Sequence, residues 1–292
     1  MRTLFILSLS LISLSACASV ERLAIPKNEL VNSALRQVGQ QEKVNHTQWD
    51  QFLRTYTRKD NDGVVRVDYA DISSADRAML KSYIHKLEIL QTDDLSKDAQ
   101  LAYWANLYNA QTVDVILDNY PTDSIRNIKD GFFDLGPWEN KRLTVAGRST
   151  SLHDIEHGIV RPLWKGEPNI HYILNCAAAG CPNLGQGAFT AENIQERMHA
   201  AAIAYINNER GVSVLDDGRI VASKIYSWYL DDFGGSHTSI ITHLKTYAQP
   251  ELKAAIEARG VIDDFTYDWS LNDTKRANTL ESASLPPIAE YN

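Results

Sequence analysis

The sequence predicts a single α+β domain in which helices are mixed with a small antiparallel sheet. Two segments, 73–90 and 96–117, place apolar residues at the three- and four-residue spacing of a helix. Two turns, Asn61-Asp62-Gly63 and Asp216-Asp217-Gly218, lie between extended runs and are typical of hairpins. Hydrophobic residues make up 44% of the 292 residues, which is sufficient for a substantial core.

The remaining elements follow from helix caps, turn residues and apolar runs. Asn119-Tyr120-Pro121 ends the second helix, because proline cannot continue it. Ser151 is suited to cap a further helix, with Asp154 three residues on. In chain order the sequence also predicts a hairpin over 55–69, a hairpin over 141–150, a helix over 151–160, a strand over 171–174, a helix over 190–208, a hairpin over 212–221, a helix over 240–258 and a strand over 265–269.

The N-terminus has the pattern of a bacterial lipoprotein signal. Met1-Arg2 precedes an apolar core over 4–14, which is too short to span a bilayer. The following Leu14-Ser15-Ala16-Cys17 resembles a lipobox, which implies cleavage before Cys17 and lipidation of its thiol. Ser19 then indicates the outer membrane, and we expect the periplasmic face. The alternative is an ordinary small-residue cleavage site and a soluble secreted protein.

This pattern predicts a signal peptide over 1–16, a lipidated tether over 17–45, a folded domain over 46–272 and a polar tail over 273–292. The formal net charge of −8 argues against a nucleic-acid partner and offers no polybasic membrane patch. No phosphate-binding loop or dinucleotide fingerprint is present, so no organic cofactor is expected. The expected partners are a membrane, through the lipid on Cys17, and a peptide or cell-wall substrate; the oligomeric state stays open.

One segment, 171–182, carries most of the chemical information. Its apolar run ends in Cys176, followed by small residues and Gly180-Cys181-Pro182. A thiol at such a turn is accessible, and backbone N–H groups there can lower its pKa and hold an oxyanion. We expect the N–H groups of Cys176 and Ala177 in that role. The alternative is a Cys176–Cys181 disulfide closing a small loop in an oxidising compartment.

Two asparagines interrupt the apolar helix over 96–117. Asn106 and Asn109 are three residues apart and therefore share a face. A buried amide must find hydrogen-bond partners. The pair is therefore predicted either to clamp a neighbouring loop or to contact a substrate.

Several motifs occur together in one consistent order over residues 60–272. They are Tyr103-Trp104-Ala105-Asn106-Leu107-Tyr108-Asn109-Ala110, Tyr120-Pro121-Thr122-Asp123-Ser124-Ile125, Leu152-His153-Asp154-Ile155-Glu156-His157-Gly158-Ile159, Ile170-His171-Tyr172-Ile173-Leu174-Asn175-Cys176, Gly180-Cys181-Pro182, Trp228-Tyr229-Leu230-Asp231-Asp232-Phe233 and Tyr267-Asp268-Trp269-Ser270-Leu271-Asn272. With these motifs the chain resembles the domain-of-unknown-function 547 family. That family is distantly similar to papain-like and transglutaminase-like cysteine enzymes, which implies a fold of that α+β type.

The resemblance implies that Glu156, His157, His171 and Cys176 carry the family signature, whereas the His153 position is free and that of Cys181 is not always cysteine. A cysteine nucleophile needs a base and a group that orients the base. On a strand, His171 and Cys176 would point to opposite faces, so His157 is the preferred base. Glu156 would then orient His171 across the cleft.

The leading functional hypothesis is a tethered, thiol-dependent hydrolase or acyltransferase that acts on an amide bond through Cys176. One alternative is a non-catalytic module that binds a peptide or glycan in an aromatic cleft of Phe132, Phe133 and Trp138. A lesser alternative is a zinc hydrolase, because His153-x-x-Glu156-His157 matches the inverted zincin motif.

Overall fold

The computed structural model describes residues 44–129, 131 and 136–275. The predicted signal peptide, Cys17, most of the tether, Phe132, Phe133 and the end of the tail lie outside the described residues. Within the described part of the chain, no helix combines the length and the apolar character needed to cross a membrane. Lipid anchoring therefore stays a prediction.

Helices dominate the described chain, and short strands connect them. The α-helices are α1 Thr47–Tyr56, α2 Ser74–Glu88, α3 Lys97–Asp118, α4 Arg161–Leu163, α5 Ile194–Ile206, α6 Lys224–Trp228, α7 His237–Tyr247 and α8 Pro250–Arg259. The strands are β1 Thr57–Lys59, β2 Val65–Val67, β3 Leu143–Val145, β4 Arg148–Thr150, β5 Val212–Val214, β6 Ile220–Ser223 and β7 Asp264–Thr266. A π-helix spans Asp154–Val160, and 3₁₀ turns span Tyr69–Asp71, Ile125–Asn127 and Pro168–Tyr172.

Helix α3 lies at the centre of the larger apolar core. Every residue from Ala99 to Leu117 is buried, as expected of a helix that is surrounded on all sides. Ser96 caps its first turn by accepting a hydrogen bond from the Ala99 N–H. Helices α1 and α2 cover one side through residues such as Trp49 and Tyr83, and the π-helix covers another.

A second apolar cluster is built by the C-terminal third of the chain. It contains large aromatic side chains such as Tyr205, Tyr226 and Phe233. Strand β6 lies in the middle of a three-stranded sheet, antiparallel to β5 and parallel to β7. The pairs β1–β2 and β3–β4 are separate antiparallel hairpins. The α+β class is confirmed; the parallel β6–β7 pair adds to the predicted antiparallel sheet.

Two predicted elements are wrong in form. The segment 171–174, predicted as a strand, is the end and exit of a 3₁₀ turn. Pro168 fits the first turn of a helix, and the Glu167 side chain caps it by accepting from the Asn169 N–H. The predicted helix over 240–258 is two helices, α7 and α8, because Pro250 cannot donate to a preceding turn and holds Gln249 extended.

The loop that follows Cys176 is fixed against the C-terminal end of the domain. The Ala179 N–H donates to the Ser270 carbonyl at 2.7 Å, and the Gly180 N–H donates to the Asp268 carbonyl at 2.9 Å. The Asn272 N–H donates back to the Ala177 carbonyl at 3.0 Å. The small residues of this loop therefore allow a close approach of two backbones.

We predict that Gly180→Ala destabilises the fold by about 1–3 kcal/mol, because an added Cβ would lie 2.7 Å from the Asp268 nitrogen and 2.9 Å from its oxygen. The measurement is urea unfolding followed by circular dichroism. Gly158→Ala is the matched control, since a Cβ added there would meet no neighbouring atom within 4 Å. Equal stabilities of the two variants would contradict this close approach.

Candidate functional site

Ionisable side chains converge at the π-helix and its continuation into α4. Glu156 and His157 are both less than a tenth exposed, and Arg161 follows one turn later. A π-helix is rare and is frequently found at functional sites. Burying charged groups costs free energy unless they are paired. The sequence predicted a helix here but not its wider turn.

The Glu156 carboxylate is held by two tyrosines. The Tyr229 hydroxyl donates to Oε1 at 2.5 Å, and the Tyr108 hydroxyl donates to Oε2 at 3.1 Å. Burial by itself raises the pKa of Glu156, but the neighbouring imidazoles, the Tyr229 hydrogen bond and Arg161 outweigh it and hold the pKa below its usual range. Glu156 is thus an ionised acceptor. The sequence-based hypothesis expected Glu156 to orient His171, but the partners of its carboxylate are the two tyrosines.

His157 is a neutral hydrogen-bond donor in this arrangement. An Arg161 guanidinium N–H donates to His157 Nδ1 at 2.8 Å, so the ring proton lies on Nε2. Burial is the main cause that lowers the pKa of His157 to about 4. With its Nδ1 facing a cation and its Nε2 protonated, this imidazole is poorly suited to the predicted role of base.

His171 forms the acid–imidazole pair of the site. Its Nε2 bonds to Asp232 Oδ2 at 2.8 Å, and the Arg161 Nε donates to the same oxygen at 2.5 Å. Burial opposes ionisation of Asp232, but these two partners lower its pKa to about 2. Because Nε2 donates to a carboxylate, neutral His171 keeps Nδ1 unprotonated. Nδ1 is therefore the ring nitrogen of His171 that can accept a proton.

Sequence reasoning missed Asp232 and Tyr229. The His171 ring stacks on Tyr229 with 4.0 Å between centroids, and the Arg161 guanidinium lies 5.0 Å from the centroid of the same ring. Both missed residues belong to Trp228-Tyr229-Leu230-Asp231-Asp232-Phe233, a motif that carries the family resemblance. The sequence signal for them was the pair Asp231-Asp232, which closely follows the aromatic pair Trp228-Tyr229.

Cys176 is bonded to Cys181 in this structure, with 6.4 Å between their Cα atoms. The disulfide alternative is therefore the state observed. The Tyr267 hydroxyl lies 3.2 Å from the Cys176 sulfur and 3.0 Å from the Cys181 sulfur. Burial raises the pKa of Tyr267, and the Glu156 charge contributes. Tyr267 thus lies against both sulfurs of the disulfide.

The expected oxyanion site is not present around the cysteine. The Ala177 N–H donates to Asn175 Oδ1 at 2.9 Å, and the Cys176 N–H points to the Cys181 sulfur at 3.0 Å. Ala177 has φ of 60°, a left-handed conformation that costs free energy for a residue with a Cβ. This strained residue directly follows the cysteine.

Asn106 and Asn109 clamp neighbouring backbone segments, which is the first of their two predicted roles. Asn106 donates to the Phe189 carbonyl at 2.8 Å and accepts from its N–H at 3.1 Å. Asn109 donates to the Ile173 carbonyl and accepts from the Asn175 N–H, both at 2.8 Å. Both side chains are almost fully buried, and Asn109 holds the chain just before Cys176.

The zinc hypothesis gains no support from the donor set. The His153 and His157 rings lie tilted at 34° to each other, with 4.4 Å between centroids. Each Glu156 oxygen accepts a tyrosine hydroxyl, so neither is placed to activate water. In the described part of the chain, no group of three or more His, Cys, Asp or Glu side chains is arranged to hold a metal ion.

The fold and site thus define an α+β domain with a buried acid–imidazole cluster beside a cysteine loop. The family model described as "Protein of unknown function, DUF547" matches residues 92–206, and this part of the chain belongs to that family. The matched range contains α3, the π-helix, His171 and both cysteines of the loop. The motifs around Tyr229 and Tyr267 lie beyond it. No curated protein and no solved structure matches the chain.

We predict that the free energy of unfolding falls as the pH is lowered from about 6.5 to about 4. An unfolded His157 takes up a proton near 6.5, whereas burial lowers its folded pKa to about 4. The unfolded state therefore binds more protons in this window, and stability is lost as the pH falls. His157 accounts for up to about 3 kcal/mol of this loss in the free energy of unfolding.

The measurement is urea unfolding at several pH values, comparing His157→Gln with the exposed-site control His237→Gln. The slope of stability against pH should flatten only in His157→Gln. An unchanged slope in that variant would show that His157 titrates normally in the folded protein.

A second expectation concerns Asn109. Replacement by alanine leaves the Ile173 carbonyl and the Asn175 N–H without their partners inside the core. We expect a loss of about 2–4 kcal/mol in the free energy of unfolding. Asn119→Ala, which removes one partly buried bond to the Val115 carbonyl, should cost about 1 kcal/mol or less. Similar losses in both variants would argue against the clamp.

Proposed function

We propose that this domain is a thiol-dependent hydrolase or acyltransferase acting on amide bonds, with Cys176 as nucleophile after reduction of the Cys176–Cys181 disulfide. The observation that carries the proposal is the His171–Asp232 pair, an imidazole oriented by a carboxylate five residues before the cysteine. A papain-like or transglutaminase-like relationship is part of the proposal, and it rests on the family resemblance.

The roles of the two histidines are exchanged relative to the sequence-based hypothesis. His171 is the proposed base, Asp232 its positioning residue, and Tyr229 the ring on which it stacks. His157 is proposed as a hydrogen-bond donor through Nε2, since Arg161 occupies its other nitrogen. Glu156 orients Tyr229 by accepting its hydroxyl.

The chemistry begins with a dithiol reductant, whose two thiols become a disulfide while Cys176 and Cys181 become thiols. The Cys176 proton then passes to His171 Nδ1, and the thiolate attacks the amide carbonyl carbon. The C–N bond breaks, and the departing amine takes the proton from the imidazolium. Water completes hydrolysis of the thioester, or an amine completes acyl transfer.

Tyr267 supports a reactive thiolate in the reduced protein. Its hydroxyl lies 3.2 Å from the Cys176 sulfur, and burial keeps this phenol protonated by raising its pKa. A protonated hydroxyl can donate a hydrogen bond to a thiolate and so lower the thiol pKa.

The proposed setting is the periplasmic face of the outer membrane, with a lipid on Cys17 as anchor and a peptide or cell-wall component as substrate. In that oxidising compartment a disulfide is the expected resting state. Reduction would then be the condition for activity.

The disulfide also favours a second candidate, a non-catalytic module that binds a peptide or glycan. In that case the Cys176–Cys181 bond is a permanent brace of the loop. The two candidates differ in whether the reduced Cys176 is activated.

We predict that the Cys176 thiol in a Cys181→Ser variant reacts with iodoacetamide well below pH 8.5, the ordinary thiol value. Replacement of His171 by glutamine should raise the apparent thiol pKa by about 1 unit or more, and Asp232→Asn should raise it less. His157→Gln is the matched control and should leave it unchanged. The rate of alkylation against pH is read by mass spectrometry.

A thiol that titrates near 8.5 in all variants would remove the enzyme hypothesis and leave the binding module. A shift in His157→Gln instead of His171→Gln would restore the original assignment of the base.

A further inference from the structure

A surface cleft lies beside the cysteine loop and plays no part in the chemistry above. Its lining consists of Ser124, Arg126, Asn127, Lys129 and Trp269. The Arg126 guanidinium lies 5.1 Å from the centroid of the Trp269 ring. The Ser124 hydroxyl donates a hydrogen bond to the Trp269 carbonyl at 2.6 Å and so joins the two segments that line the cleft.

Trp269 belongs to a group of half-buried aromatic rings between the two apolar clusters. Its ring centroid is 4.7 Å from that of Tyr267, 5.5 Å from that of Trp228 and 5.7 Å from that of Trp138. Trp138 and Trp269 pack on the larger cluster, whereas Trp228 and Tyr267 pack on the smaller one. These rings keep part of their surface in solvent.

Arg126 and Lys129 bring two positive charges to the cleft. Among the described residues, no carboxylate pairs with the side chain of Arg126 or Lys129, whereas other arginines such as Arg66 and Arg161 are paired. The nearby Asp268 carboxylate accepts from the Ser270 N–H at 2.9 Å and from the Ser270 hydroxyl. An aromatic ring beside two such cations suits a ligand that has an apolar face and an anionic group.

We propose that this cleft binds a pyranose that carries a carboxylate. The sugar's C–H face packs against the part of the Trp269 ring that remains in solvent. The carboxylate pairs with Arg126 and Lys129, and Asn127 offers both a donor and an acceptor for hydroxyls. The half-buried Trp269 ring, with an amide and two cations beside it, favours a sugar acid as the ligand.

The cleft lies close to the proposed nucleophile. Trp269 contacts Tyr267, and the Tyr267 hydroxyl is 3.2 Å from the Cys176 sulfur. A saccharide held here would place its amide-bearing substituents near the thiol. This assignment of a substrate class rests on the proposed function, whereas binding to the cleft does not.

The test uses the full chain with its disulfide intact. N-acetylmuramic acid and N-acetylglucosamine differ by a lactyl carboxylate, and each is titrated while tryptophan fluorescence and NMR line positions are followed. We expect about fivefold tighter binding of the carboxylate sugar, the effect of an exposed ion pair of about 1 kcal/mol. The advantage should shrink in about 0.5 M salt.

The matched variants are Arg126→Gln, Lys129→Gln and Lys165→Gln. The first two should each weaken binding of N-acetylmuramic acid by about twofold while leaving N-acetylglucosamine unchanged. Lys165 is exposed and outside the cleft, so Lys165→Gln should bind both sugars as the original protein does. These substitutions keep the aromatic rings, so the fold is not at risk.

Equal affinity for the two sugars would overturn the carboxylate assignment, and no binding of either would overturn the site. Tighter binding of an acidic peptide with the same Arg126 dependence would replace the saccharide with a peptide. If the carboxylate sugar binds but the Cys176 thiol is not activated, the sugar site stands and the proposed catalysis fails. If the Cys176 thiol is activated but neither sugar binds, the proposed catalysis stands and the sugar site fails.

Discussion

The burial of the Glu156 carboxylate is the constraint on which the site depends. A buried negative charge requires compensation, and the hydroxyls of Tyr108 and Tyr229 together with Arg161 supply it. Tyr229 is thereby held where His171 stacks on it. Arg161 in turn pairs with Asp232 and so fixes the partner of His171. The π-helix carries Glu156 and His157 and leads directly into α4, which begins at Arg161.

The cysteine loop depends on a different kind of constraint, namely backbone contacts from both sides. Asn109 of the central helix holds the chain before Cys176, and the 268–272 segment pairs with the chain after it. The left-handed Ala177 between these supports is strained. A disulfide and the half-buried Tyr267 complete the enclosure. Such a rigid frame is useful to an enzyme and equally to a binding module.

The acid–imidazole cluster and the aromatic cleft are linked by the same two motifs. Tyr229 lies in the cluster, while its neighbour Trp228 contacts Tyr267 and Trp269. Tyr267 faces the disulfide, whereas Trp269 faces the surface cleft. Tyr267 therefore lies between the proposed nucleophile and the proposed sugar site.

The sequence by itself determined the α+β class, the hairpins and the central helix, because caps, turns and apolar periodicity are local signals. The family of the matched segment followed from the resemblance of its motifs. It also singled out Glu156, His157, His171 and Cys176. Only the tertiary structure decided their partners. The orientation of His171 depends on Asp232, 61 residues further along the chain, and the charge of Glu156 is compensated by the hydroxyls of Tyr108 and Tyr229. Hydrogen bonds between residues distant in sequence leave no periodic pattern, so only the packed fold can assign them.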